Sequence, residues 1–531
     1  MPIALLIAAA LAVVCMPVLA VPVPPLLDYP NHLARLWLLA GGLERPALAA
    51  FYEADWRNAF TNGGMDTLVV LLAPLLGGAE PAMRLMLALA LVLPPLGAAA
   101  LNRALFGGWR AWQVGFAVLA FNGILLAGFL SFMIGLGLAL LAAAAEPALV
   151  RRAWLPRLVV RAAFGVLLIW MHALGLAFYL ALLVGLAIGP SMRAALAGPR
   201  AIAAAAGRAA LAVASAALPA FLMLHLSGTP GPWDGAAEDD TLLRPWSGYA
   251  FFEKVRALTT AFGTYEVPVD LAMLLAVLAV ARWALAKDRL RVHGGLLAAA
   301  GGLLVLAIIM PNTLGGTGWM DRRFPIMALL TFLAAMLPRV PAGRHLAVAA
   351  GLLLIVALRA AWMGWVWDAR QADIAAVERA IAPMPPGAAL LVAYEFPGDR
   401  FASPVGRYFP RGQMPTYEHL GALAVTRREA FVPTLFALRG RHVLRVLPPW
   451  DELALANGLG VAVTQLDDAT AGDARPYLRD WRRRFDYLLV LDGDHPGGGV
   501  RAAPTQGLAR VAMEGFARLY RIERPGEAAA R

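Results

Sequence analysis

The sequence predicts a polytopic α-helical membrane protein with about 11 transmembrane helices and a C-terminal extracytoplasmic α/β domain. Three observations lead to this fold class. The chain of 531 residues is 60% hydrophobic and only 15% charged. Apolar runs long enough to cross a bilayer recur through residues 1–365, which we interpret as a transmembrane domain. Residues 366–531 lack such runs and carry acids and bases in similar numbers, as a soluble domain does.

The placement of basic residues predicts which loops face the cytoplasm. Arginine and lysine outnumber acids in five short loops, near residues 103–110, 151–161, 193–208, 282–291 and 339–344. By the positive-inside rule these loops are cytoplasmic. The net charge of +11 therefore reports orientation in the membrane, and no nucleic-acid partner is predicted.

Crossings between these loops define the spans. We expect them at 2–20, 83–102, two within 111–145, two within 158–190, 209–225, 267–284, 294–311, 325–338 and 345–365. The two spans within 111–145 are separated by a break near Asn122 and Gly123. The segment 158–190 is barely long enough for two crossings, so a re-entrant hairpin is an alternative there. His172 lies near this second break and is interpreted as a packing residue. The odd number of crossings places the C-terminus outside.

Three extracytoplasmic segments follow from this topology, namely 21–81, 227–266 and 311–324. The domain after residue 365 is predicted to be a small α/β layer fold. Its expected strands lie at 388–393, 442–447 and 487–491, its helices at 372–382 and 424–438, and a further strand pair within 507–522. In this domain, Tyr417-Glu418-His419 is a candidate for acceptor binding near the membrane.

A polar cluster directly after the first span is the leading candidate site. It contains Asp28, Asn31, His32 and Arg35. Ionisable groups are costly beside hydrocarbon, so such a cluster usually serves a ligand, a proton or its own members. A helix starting near Pro30 would place His32 and Arg35 on one face. The alternative interpretation is that Asp28 only caps this helix.

Other charged residues could join this cluster on the same side of the membrane. Glu53 and Asp55 form an acid-x-acid pair in the first outer loop. Arg322 and Arg323 lie where a late span re-enters the bilayer. Two guanidiniums at this depth could bind a lipid-linked phosphate, because arginine offers paired donors to phosphate oxygens. An interfacial anchor is the alternative. Arg244, in the second outer loop, is a further candidate for the same anion.

The overall arrangement resembles the C-type (GT-C fold) family of integral-membrane glycosyltransferases. The resemblance rests on the acidic loop after the first span, on the stretch Asn122–Phe132, on Arg322–Pro325 before a late span, and on the outer C-terminal domain. Such enzymes typically take a sugar from a polyprenyl-phosphate carrier and use a carboxylate of the first outer loop as base. The resemblance therefore implies Asp28 as the catalytic base, with Glu53 and Asp55 as a competing pair.

Sugar transfer from a lipid phosphate needs a base for the acceptor hydroxyl and a cationic site for the leaving phosphate. We expect Asp28 to deprotonate the acceptor and the two adjacent arginines to bind the phosphate. Asn31, His32 and Arg35 are expected to bind substrate. The expected reaction is an inverting hexosyl or pentosyl transfer to a glycan, lipid or protein acceptor.

No cofactor is predicted, because a monophosphate donor needs a metal less than a diphosphate does, although paired carboxylates could hold a divalent cation. The only cysteine, Cys15, excludes an intrachain disulfide. The high Ala, Gly and Arg content fits a bacterial genome rich in G and C, and hence the inner (cytoplasmic) membrane with the C-terminal domain in the periplasm. The first alternative is a non-catalytic envelope-assembly scaffold. A transporter is the second alternative and is less favoured, because no topological repeat is evident.

Overall fold

The computed structural model describes residues 2–189, 198–228, 250–284, 290–314, 317–396, 398–455, 458–468, 471–494 and 506–524. Within these ranges a helical membrane region is followed by an α/β domain. The helices of the first region are α1 Pro2–Val13, α2 Met16–Ala20, α3 Tyr29–Leu39, α4 Gly63–Leu76, α5 Ala79–Phe106, α6 Gly123–Leu126, α7 Leu130–Leu149, α8 Trp154–Met171, α9 Ala173–Ile188, α10 Pro199–Ser227, α11 Ala250–Thr259, α12 Val267–Ala284, α13 Gly294–Ile309, α14 Met320–Ala335 and α15 His345–Ala369.

These helices confirm the predicted fold class. Among the described residues, 7 helices are long and apolar enough to cross a membrane, and shorter apolar helices lie between them. Each predicted span overlaps helical structure. The span at 2–20 is divided between α1 and α2, and the helix of the span at 325–338 ends at Ala335, before the short strand Met336–Pro338. The first half of the pair within 111–145 is a 3-10 helix, Ala111–Ala120, followed by α6. The chain is a multi-pass membrane protein.

Two polar residues begin the helices that follow the predicted breaks. The side chain of Asn122 accepts hydrogen bonds from the backbone N–H groups of Ile124 and Leu125, both at 3.0 Å, and so caps α6. Nδ1 of His172 accepts from the N–H of Leu174 at 3.1 Å and caps α9. Capping satisfies donors that a helix leaves unpaired, which allows the chain to break inside the apolar region.

The C-terminal domain is built on a mixed sheet. Its helices are α16 Gln371–Ile381, α17 Leu423–Arg428, α18 Ala471–Ala474 and α19 Trp481–Arg484. The strands of the whole chain are β1 Tyr52–Ala54, β2 Leu290–Val292, β3 Met336–Pro338, β4 Leu390–Tyr394, β5 Tyr408–Phe409, β6 Met414–Pro415, β7 Leu444–Val446, β8 Val461–Ala462, β9 Tyr487–Leu491, β10 Leu508–Glu514 and β11 Ala517–Ile522. The main sheet has the order β10-β11-β9-β4-β8, in which β4 runs parallel to both neighbours.

The predicted strands and the terminal strand pair are present, but the predicted helix at 424–438 is shorter. Helix α17 ends at Arg428, because Glu429 adopts a positive φ of 50°. The chain then turns back, and Phe431 forms a bridge with Ala389 beside β4. Tertiary pairing therefore replaces the last turns of the helix that the local sequence pattern favours.

The first outer loop and the C-terminal domain pack against each other. Strand β1, in the loop after α3, pairs with β7 of the domain in antiparallel register, with Glu53 opposite Arg445. Two residues of the domain, Thr434 and Phe436, bond to the side chain of Asn31 in α3. The domain thus covers the polar cluster that follows the first span.

Candidate active site

Asp28 stands at the N-cap of α3, but its carboxylate makes no capping hydrogen bond. The backbone of Leu27 and Asp28 is fixed by hydrogen bonds to the C-terminal end of α6. The N–H of Leu27 donates to the carbonyl of Leu126 at 2.9 Å, and the N–H of Asp28 donates to that of Ala127 at 3.2 Å. Only 7% of Asp28 is exposed. A buried carboxylate that does not serve its own helix is available for another partner.

That partner is His419 of the C-terminal domain. Its Nε2 lies 3.4 Å from Oδ1 of Asp28, and both side chains are buried. Burial alone would lower the pKa of His419, but the hydrogen bond to Asp28 and the charges of Asp28 and Glu418 raise that pKa above its ordinary value. The cationic form of His419, paired with the carboxylate, is thereby favoured.

Phe436 brings three histidines together beside Asp28. The ring centroids of His32, His419 and His442 lie 5.4, 5.1 and 5.7 Å from that of Phe436. Burial is the main cause that lowers the pKa of His32 and that of His442, and the charge of Arg35 adds to it. These two imidazoles are therefore neutral at pH 7, whereas the pKa of His419 is shifted in the opposite direction.

The remaining members of the polar cluster bind protein groups. The amide of Asn31 donates to the carbonyl of Thr434 at 2.8 Å and accepts from the N–H of Phe436 at 2.8 Å. Arg35 forms a fully buried ion pair with Asp66 of α4. Its other terminal nitrogen lies 3.5 Å from Nδ1 of His32, which agrees with the predicted shared helix face. Asn31 and Arg35 thus fasten α3 to its surroundings.

Arg323 approaches the site from the membrane region. Its guanidinium lies 4.2 Å from the ring centroid of Phe129 and 5.3 Å from that of Phe132. Its Nη1 lies 3.1 Å from Nε2 of His172, the residue that separates α8 from α9. Its charge interacts with Asp28 and, repulsively, with Arg441 of the C-terminal domain. Arg323 thus places a buried guanidinium close to the carboxylate of Asp28, a group suited to pairing with an anion.

Arg322 points into a separate cleft. It is 8% exposed and lies over the ring of Trp319, 4.3 Å from its centroid, and its Nε finds no hydrogen-bond partner among the described residues. The empty space in and around the cleft, including its opening to solvent, is about 290 Å³. It is lined by Gly123, Arg256, Thr259, Thr260, Gly263, Thr264, Trp319, Arg322, Phe409 and Pro410. Arg256 contributes a second guanidinium, so this cleft is also cationic.

The other sequence-predicted residues lie elsewhere. Glu53 and Asp55 are half-exposed and pair with Arg445 at 3.2 and 3.4 Å. Among the described contacts, neither carboxylate reaches the group around Asp28. Arg244 lies outside the described residues. In the described part of the chain, no group of three or more His, Cys, Asp or Glu side chains could hold a metal ion.

The structure adds residues whose role the sequence did not indicate. His172 was interpreted as a packing residue, yet it contacts Arg323. His419 was proposed for acceptor binding, and its contact with Asp28 was not foreseen. Arg441 and Arg256 had no distinguishing local signal, since each is an arginine among many. Only the proximity of segments distant in sequence brings these residues together.

No protein-family model matches the chain, and no curated protein matches it in sequence. Two solved structures align with nearly all of it. The crystal structure of ArnT from Cupriavidus metallidurans bound to undecaprenyl phosphate has 14% sequence identity and a TM-score of 0.48, covering 98% of this chain and 99% of that chain. The structure of the same protein in the apo state has 14% identity and a TM-score of 0.45, covering 98% of each chain.

Proposed function

We propose that this protein is a membrane glycosyltransferase of the GT-C type, which moves a sugar from a polyprenyl-phosphate carrier to an extracytoplasmic acceptor with Asp28 as the base. The observation that carries the proposal is the buried carboxylate of Asp28. It occupies an N-cap position without capping the helix and lies where the first outer loop, the membrane region and the C-terminal domain meet. A base needs such a positioned carboxylate, and the contact with His419 involves only Oδ1 of Asp28.

The cationic groups supply the second requirement. Arg323 interacts electrostatically with Asp28, and Arg441 faces Arg323 from the domain. An anionic phosphate bound to Arg323 would lie close to the base. Arg322, with Arg256, offers a further cationic surface in the cleft beside α14. We assign the carrier phosphate to this set of guanidiniums, because bidentate arginine donors match phosphate oxygens.

The proposed step is an inverting displacement. The acceptor O–H bond breaks, and its proton passes to Asp28. The acceptor oxygen forms a bond to the anomeric carbon as the bond from that carbon to the phosphate oxygen breaks. The electron pair of the broken bond stays on the lipid phosphate, whose negative charge the arginines stabilise. The acceptor is a glycan, lipid or protein hydroxyl on the periplasmic side of a bacterial inner membrane.

The proposal is tested with full-length protein in proteoliposomes. The donors are radiolabelled glucose, galactose, mannose and arabinose, each linked to undecaprenyl phosphate, the lipid present in one of the ArnT structures. Envelope extract supplies acceptors, and released undecaprenyl phosphate is measured. We expect wild type to consume one donor and Asp28→Asn to lose activity by about a thousandfold. Asp451→Asn, an exposed carboxylate of the C-terminal domain, is the matched control.

The outcomes separate the competing assignments. Retained activity in Asp28→Asn together with loss in Glu53→Gln or Asp55→Asn would move the base to the acid-x-acid pair. Consumption of no donor by the wild type would contradict the enzyme proposal and favour the envelope-assembly scaffold, for which substitution at Asp28 is tolerated.

A further inference from the structure

His419 is the C-terminal domain's closest approach to the proposed base. It precedes a short 3-10 helix, Leu420–Ala422, and reaches Oδ1 of Asp28 with its Nε2 at 3.4 Å. The ring of Phe436 packs edge-on against it, 5.1 Å between centroids. Gly458 closes the other side, since a β-carbon there would lie 2.8 Å from Cε1 of His419. The imidazole is therefore held in one orientation by packing.

The electrostatic surroundings distinguish His419 from its neighbours. Negative charge faces it from Asp28 and from Glu418, whereas His32 lies on its other side. Glu418 is itself half-buried and interacts with Arg475. By contrast, His32 and His442 face Arg35, which disfavours their cationic forms. Of these three histidines around Phe436, His419 alone is placed to donate a charged hydrogen bond to a carboxylate.

We propose that His419 is a positioning residue for the base. Its Nε2–H donates to Oδ1 of Asp28, which leaves Oδ2 to accept the proton of the acceptor. His419 keeps its own proton throughout the step. The C-terminal domain thereby completes the reaction centre, although its sequence begins more than three hundred residues after the base. This inference rests on the function proposed above.

The test uses two amide variants of the full-length protein. In His419→Gln the amide nitrogen can reach the position of Nε2, whereas in His419→Asn it ends near the position of Nδ1. Both variants are neutral and similar in polarity. We expect His419→Asn to lower kcat by about a hundredfold, the usual effect of misplacing a reacting group. We expect KM to change by less than about twofold. The kcat of His419→Gln should be at least about tenfold higher than that of His419→Asn.

Binding of undecaprenyl phosphate in nanodiscs provides the independent readout. Affinity for this lipid should be unchanged in both variants, because His419 is placed toward the carboxylate. Equal losses in the glutamine and asparagine variants, or losses that follow a fall in the thermal unfolding midpoint, would assign His419 a purely structural role and overturn the inference.

The failure of this inference is distinguishable from the failure of the proposed function. Full activity of His419→Asn beside an inactive Asp28→Asn would reject the positioning role and leave the function in place. Activity of Asp28→Asn itself would reject both. His345→Gln is the control, since it replaces a half-buried imidazole at the start of α15, beside a loop predicted to face the cytoplasm.

Discussion

Gly128 packs directly against Asp28. A β-carbon on residue 128 would lie 2.7 Å from Cβ of Asp28 and 2.9 Å from its backbone nitrogen, and Gly128 has a φ of +88°. His32 also bonds to the backbone of Gly128. Both the close approach and the left-handed conformation require glycine here. The stretch that begins at Asn122 therefore fixes the position of the proposed base.

This relationship predicts the effect of Gly128→Ala. The added methyl group must displace Asp28 or the chain around Gly128, and a shift of about 1 Å typically costs a hundredfold in rate. We expect kcat to fall by about that factor in the transfer assay. Gly301→Ala is the control, because nothing lies within 4 Å of a β-carbon at that helical position. Unchanged turnover in a folded Gly128→Ala protein would show that the position of Asp28 is unimportant.

Lysine at Arg322 or Arg323, the two arginines proposed to bind the phosphate, should weaken lipid binding. Arg322 and Arg323 each offer paired donors on a planar group stacked over an aromatic ring, and lysine supplies neither feature. We expect Arg322→Lys and Arg323→Lys each to raise the Kd for undecaprenyl phosphate by about tenfold. Arg344→Lys, on an exposed arginine near the predicted cytoplasmic end of α15, should leave the Kd unchanged. An unaltered Kd in both site variants would remove these residues from the phosphate site.

Asn31 should stabilise the packing of the C-terminal domain against α3. Its removal leaves the Thr434 carbonyl and the Phe436 N–H buried without their partner, at about 1–3 kcal/mol for each group. We expect Asn31→Ala to speed hydrogen exchange at residues 434–436. Asn102→Ala, which removes a buried amide bonded to the carbonyls of Ala334 and Met336, should not affect exchange there. Unchanged exchange with weakened substrate binding would instead support the sequence-based role of Asn31.

The buried pair of Arg35 and Asp66 predicts a non-additive response. Asp66→Asn leaves a buried guanidinium without its counter-charge, and we expect a loss of about 3–5 kcal/mol in unfolding free energy. The double variant Arg35→Met/Asp66→Leu should recover much of that stability, as measured by the thermal unfolding midpoint. If the recovered protein is inactive, Arg35 also serves the substrate; if it is active, the role of the pair is structural.

The contribution of His419 to stability should fall as pH rises. Its pKa in the folded protein is raised above 6.5, so the stabilisation is complete below about pH 6.5 and is lost as pH passes through the folded value. The thermal midpoint of wild type should exceed that of His419→Gln most at about pH 6, and the difference should shrink as pH rises through the folded-state pKa. The lowered pKa of His442 has no contribution from His419 and acts oppositely in both proteins, so it cancels in this comparison. The charge of His419 is one cause that lowers the pKa of His32, so His32 cancels only in part. A difference that grows with pH would contradict the raised pKa.

The sequence by itself determined the membrane spans, the breaks within them and most of the strands of the C-terminal domain. The spans follow from transfer of apolar side chains out of water, and the breaks from Asn122 and His172, whose side chains bond to backbone groups two or three residues away. Strand β9 follows from a short run of apolar and aromatic residues. These are local energies, so the local pattern of residues suffices to predict them.

The tertiary structure decided what those elements bring together. It ended α17 at Arg428 through pairing around Phe431, joined β1 to β7, and placed His419 beside Asp28. In the folded chain Asn31 and Arg35, which the sequence predicts to bind substrate, bond to Thr434 and Asp66. Such contacts join residues hundreds of positions apart, and their energy depends on burial and distance in the folded chain. A histidine or an arginine looks the same in the sequence whether or not folding brings a carboxylate to it.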